Sequence, residues 1–157
     1  MYKLSLFIAV GLLFIACGKK EQSGDDFSKP STDSAASADP SSYDPNRGEG
    51  KFDKVDLAVT LDQPIATEGE KIASVKCTSC HKSTEEKLVG PGWKGVTSRH
   101  QPQWIMNFIT NPDPMITKDP KMQAQLEICL VRMPNQGLND TEARDVLEYM
   151  RKIDGVK

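Results

Sequence analysis

Cys77-Thr78-Ser79-Cys80-His81 sets two thiols three positions apart and an imidazole directly after them. A C-x-x-C pair has three common readings: a dithiol redox centre, half of a structural zinc site, or the attachment point of a c-type haem. Structural zinc takes four ligands, usually as two pairs. The chain holds two histidines and four cysteines, and Cys17, Cys129 and His100 form no second pair. A thioredoxin-like centre needs a strand ahead of it, whereas the residues before Cys77 read as helix. The haem reading is favoured, with a lipoprotein redox module that uses the thiols directly as the non-haem alternative. Each thiol adds to one porphyrin vinyl group, giving one haem c held through Cys77 and Cys80, and His81 stands where its ring nitrogen reaches the iron. A covalent cofactor of that size supplies much of a small domain's core, so it constrains the fold as well as the chemistry.

A length of 157 residues allows one domain with appendages. The formal net charge of −2 argues against nucleic acid as a partner. Three segments are expected. Residues 1–17 read as a secretory signal: Lys3 is the positive flank, and Leu4 to Ala16 is apolar but shorter than the ~20 residues a membrane span needs. The segment ends in Ala16-Cys17-Gly18, which resembles a bacterial lipoprotein cleavage site with Cys17 as the lipid-bearing residue, although Phe14 stands where leucine is usual. Ordinary signal cleavage with an incidental Cys17 is the alternative. Residues 18–65 carry six Lys/Arg against ten Asp/Glu and are rich in Ser, Ala, Asp and Pro. Such a stretch buries little, and reads as a disordered tether with a reach of ~35–40 Å. Alternation at Phe52, Val55, Leu57, Val59 and Leu61 allows an extended arm along the domain. Residues 66–157 form the domain.

The domain is predicted all-α, with four to five short helices around the haem. Thr67 and Glu70 form a capping box at the start of the helix leading to Cys77. Gln103 to Ile109 is amphipathic and ends at Asn111-Pro112. Pro120 to Leu130 places Met122, Leu126 and Cys129 on one face. Asn139 and Glu142 cap the last helix, whose apolar Ala143, Val146, Leu147, Met150 and Ile153 recur at helical spacing. A thioether is a suitable sixth iron ligand, and it favours Fe(II). Met106, Met122 and Met150 lie in helical stretches and read as core. Met133 precedes Pro134 in a loop, where a reaching ligand is expected, and Met115 is the second candidate. His100 is read as a surface or propionate contact, with ligation of the iron as the rarer option. Trp93 and Trp104 either donate to propionates or fill the core. Cys129 is read as a small hydrophobe.

The set Gly69, Cys77-Thr78-Ser79-Cys80-His81, Val89-Gly90-Pro91, Trp93, Gly95-Val96, Trp104 to Pro112, Met133-Pro134-Asn135, Gly137-Leu138 and Tyr149 resembles the class I (mitochondrial-type) monohaem cytochromes c of bacteria, over Thr67 to about Ile153. The resemblance implies His81 and Met133 as axial ligands, and a hydrogen bond from His81 to the Pro91 carbonyl. It implies Gly69 as the small residue where the first helix crosses the last. Ala73 departs from it, since an aromatic is usual there. The expected role is that of a non-enzymatic electron carrier between a respiratory donor and a terminal oxidase or reductase. The expected location is the periplasmic side of a bacterial membrane, anchored through lipid on Cys17. A haem enzyme or sensor, such as a small peroxidase with an open distal position, is the alternative.

Overall fold

Prolines set the helix starts. A computed structural model describes residues 43–157, and among these there are six helices and no strand beyond an isolated bridge between His81 and Lys87. The expected signal segment, Cys17 and the tether as far as Ser42 lie outside the described residues. Helices α3 (Pro102–Thr110), α4 (Pro112–Lys118) and α5 (Pro120–Cys129) each open on a proline. There its fixed φ is already helical and its missing N–H has no partner to lose. The residue before each proline is kept out of the α region, so α3 stops before Asn111 and α4 before Asp119. Pro112 therefore opens a helix that was not expected, and Met115, expected in an irregular stretch, lies buried in α4.

Helix α1 (Gln63–Lys76) starts four residues ahead of the expected capping box. Asp62 caps it by accepting from the Ile65 N–H at 3.1 Å, with Pro64 in the first turn. Thr67 bonds back to the Gln63 carbonyl from inside the helix. An Asp cap followed by proline outranks a Thr cap one turn later. Helix α6 (Asp140–Asp154) starts where expected: Asn139 and Glu142 exchange both bonds of a capping box, and Gly155 closes the helix at φ 94°. The short α2 (Val96–Arg99) follows Gly95, which takes φ 80°.

Helices α1 and α6 cross at Gly69. A Cβ there would stand 1.9 Å from the Asp145 carbonyl oxygen, so the two backbones touch. Ala73, Ala143, Val146 and Leu147 fill the rest of the crossing and are fully buried. The small residue at position 73 leaves this contact tight. Helix α3 packs on α6, and α4 leads into α5.

Residues 43–61, placed above in the tether with an extended arm allowed, lie along the domain as such an arm. Phe52, Val55 and Leu57 pack on the core, while Val59 is 94% exposed. The fully buried Asn107 side chain accepts from Phe52 N–H and donates to the Arg47 and Phe52 carbonyls at 2.9–3.0 Å. Further along, Glu148 accepts from the Asp62 N–H at 3.0 Å and pairs with Arg144 and Arg151. Arg151 in turn donates to the Ala58 carbonyl at 2.5 Å. A strap bound through buried polar groups is fixed, because leaving those groups unpaired costs about 1–3 kcal/mol each.

Candidate haem-binding cleft

The C-terminus of α1 turns the motif into a cleft. Cys77 N–H and Thr78 N–H both bond the Ala73 carbonyl, and Cys80 and His81 N–H both bond the Cys77 carbonyl at 3.0 Å. This tight turn brings both thiols and the imidazole to the lining of an apolar cleft of about 280 Å³. Cys77 and Cys80 are free thiols. Burial pushes the Cys77 thiol up to about 11, with Lys76 opposing and Cys80 reinforcing the shift. A reactive redox dithiol has a depressed value. The Cys77 thiol is shifted the other way.

His81 is oriented from three sides. Its Nδ1–H donates to the Pro91 carbonyl at 2.8 Å, the bond the resemblance implies. Its ring lies over Gly90, where a Cβ would stand 2.4 Å from Cε1, and stacks on Trp93 at 5.7 Å. Trp93 meets Tyr149 edge-on at 6.3 Å. Burial lowers the imidazole's basicity, with the Pro91 bond opposing. The ring is neutral near neutral pH, and with Nδ1 committed its lone pair sits on Nε2. Asp154 holds the far end of the loop, accepting from Gly95 N–H at 2.5 Å and Thr97 N–H at 2.9 Å.

The other expected residues separate clearly. Met133 is half-buried and lines the cleft, in a loop fixed by Arg132 on Asp113 at 2.8 Å and Asn135 on the Thr110 carbonyl at 3.1 Å. Met115 lies away from the cleft lining, packed beside Gly48 and Trp104. Met122 and Met150, read as core, both line the cleft, as does Cys129. Cys129 is half-buried and accepts from Gln125 Nε2 at 3.1 Å. Trp104 lines the cleft with its ring, but its indole N–H donates to Asp119 at 3.1 Å, so that donor is taken by protein. His100 is outside the lining and stacks on Trp104 at 3.8 Å. Asp119 and Asp154, absent from the sequence reading, carry no motif of their own. An Asp before a proline or at a helix end reads first as a cap.

The residues fit a haem. Helix α5 buries none of its side chains fully, yet turns Met122, Leu126 and Cys129 to the cleft, which makes it one wall of a cradle completed by a large apolar group. The floor offers two unpaired thiols and an imidazole with a free Nε2. Among the described residues, no three His, Cys, Asp or Glu side chains gather in a metal-binding cluster.

The fold and cleft are thus those of a c-type haem domain, and comparison agrees. Residues 66–154 match the family model described as cytochrome c. The cytochrome c from Rhodothermus marinus aligns at 33% identity over 67% of this chain and 90% of its own, with a TM-score of 0.64. An engineered cytochrome c from the same organism, Rma TDE, aligns at 31% identity over 74% of this chain and 98% of its own, with a TM-score of 0.65. The same engineered protein bound to a carbene intermediate aligns at 31% identity with a TM-score of 0.62. No curated protein matches the chain. The chain belongs to the cytochrome c family. It carries haem c attached through Cys77 and Cys80, and its general role is haem-based electron transfer.

Proposed function

We propose that this chain is a membrane-tethered one-electron carrier with His81 and Met133 as axial ligands. When bound, the haem supplies an Fe(III)/Fe(II) couple; the protein's part is to hold, orient and shield it. His81 presents a neutral Nε2 because Pro91 holds Nδ1, and this hydrogen bond also raises the ligand's donor strength. Met133 offers a soft thioether that favours the reduced state. The aromatic and aliphatic lining keeps water out, which reduces the reorganisation that each electron transfer demands. The observation that carries this reading is the placing of a fixed imidazole and a loop thioether on one apolar cleft beside two free thiols. With Met133 bound, no coordination position remains open for a substrate, so the reading is non-enzymatic rather than that of a small peroxidase or sensor.

The same proposal takes Cys17 as a lipid anchor and the residues between it and Tyr43 as a leash. The domain then works on the periplasmic side of a bacterial membrane, between a respiratory donor and a terminal oxidase or reductase. The ligand assignment is tested by the near-infrared thioether-to-iron band of the oxidised protein. It disappears in Met133→Ala and survives in Met122→Ala and Met115→Ala. Loss of the band in Met122→Ala with retention in Met133→Ala would reverse the assignment. For the anchor, Cys17→Ser moves the protein from the membrane to the soluble fraction; unchanged membrane retention rules out lipid on Cys17.

A further inference from the structure

Two carboxylates among the described residues are almost wholly buried, Glu148 and Asp119. Glu148 is paired with two arginines. Asp119 is 1% exposed and has no ion-pair partner among the described residues, so neutral donors replace its water. Oδ1 accepts from the N–H groups of Lys121 and Met122 at 2.7 and 3.3 Å, which is all that capping α5 requires. Oδ2 does something else. It accepts the indole N–H of Trp104 at 3.1 Å and the phenol O–H of Tyr43 at 2.5 Å. The strap, a cleft-lining residue of α3 and the first turn of α5 therefore meet on one carboxylate.

The wall that hangs from this point is the one bearing Met122, Leu126 and Cys129. It ends on Leu130, a non-glycine residue held at φ 58°, which sets the direction in which the chain leaves toward Met133. We propose that Asp119 is a positioning residue of the haem site: through Oδ2 it clamps the N-terminal strap and Trp104 to α5, and so holds the Met133 side of the cleft closed. The inference rests on the haem and Met133 reading above. Tyr43 is its remote end, since its phenol remains a donor: burial, and then the Asp119 carboxylate, raise its pKa well above the usual tyrosine range.

The test uses the full-length holoprotein with Tyr43→Phe and Asp119→Asn. Tyr43→Phe leaves the α5 cap intact and removes only the strap's bond. Three quantities are measured: imidazole affinity of the ferric protein, reduction potential, and hydrogen exchange of the α5 amides. Losing one part-buried charge-assisted bond loosens the wall enough for imidazole to compete about tenfold better with Met133 in Tyr43→Phe. Asp119→Asn has a larger effect, and the double variant adds little to it. The potential falls in both, as water gains access and the thioether is lost more often. A drop in melting temperature with unchanged imidazole affinity, potential and α5 exchange overturns the proposal and leaves Asp119 a simple cap. If the wild type lacks the thioether band, the Met133 reading fails by itself. The clamp is then judged on exchange in α5, which must still quicken in Tyr43→Phe for it to stand.

Discussion

At the scale of single side chains, His81 is both oriented and neutral. Nδ1 is committed to Pro91, the ring is wedged between Gly90 and Trp93, and burial keeps it neutral. The basicity of His100 is lowered as well. Burial first, then the nearby Lys121 and Arg99 cations, lower its pKa from 6.5 to about 4. Between those values the unfolded chain takes up a proton that the folded chain refuses, so folding stability is lost as pH falls from 6.5 toward 4 and levels off below that. Because the ring is only partly buried, the loss is discounted to about 1–2 kcal/mol. His100→Phe keeps an aromatic on Trp104 and removes the titration. Urea midpoints should therefore show the wild type losing ground to the variant as the pH falls from 6.5 toward 4, with the difference constant above that window. Parallel curves would show that His100 titrates alike in both states.

At the scale of elements, the molecule turns on the α1/α6 crossing. Gly69 is there because the Asp145 carbonyl occupies the space of any side chain, 1.9 Å from where a Cβ would sit. Both helices must part to admit a methyl group, so Gly69→Ala should cost about 2–4 kcal/mol despite alanine's better helix propensity. The change should register as a lower urea midpoint, and a midpoint equal to wild type would mean that the crossing has slack. Helix α6 was readable in advance, because its caps and its apolar stripe are local signals written in consecutive residues. So was the motif at Cys77, whose spacing is its chemistry. The start of α1 was not, since Gln63-Pro64 reads as linker until Asp62 is seen to cap it. Helix α4 hid for a similar reason: Asn111-Pro112 is both a stop and a start. The cleft roles of Met122 and Met150 were invisible because a stripe facing a cofactor has the same periodicity as a stripe facing a core.

At the scale of the whole molecule, the strap is the part that composition misjudges. Residues 43–61 hold three Asp, two Gly and two Lys, and only the alternation at Phe52, Val55, Leu57, Val59 and Leu61 hints that the segment packs on the domain. Its partners lie far along the chain: Asn107 for Arg47 and Phe52, Arg151 for Ala58, Lys157 for Leu61. Two backbone features make the fit. A Cβ on Gly50 would stand 2.3 Å from Oδ1 of the buried Asn107, so contact requires a glycine there, while Gly48 is required by its φ of 74°. A chain beginning at Tyr43 keeps every one of these contacts and should melt with the full-length holoprotein. A chain beginning at Asp62 leaves Asn107 without its three partners, strips Arg151 of its carbonyl acceptor and uncovers the core beneath Phe52, Val55 and Leu57. Losses of ~3 kcal/mol or more follow from the unpaired groups alone, equivalent to a fall of about 10–20 °C for a domain of this size. Calorimetry of the two holoproteins decides it. Equal melting temperatures would return residues 43–61 to the tether, and a fall confined to the shorter chain makes the strap part of the domain that surrounds the haem.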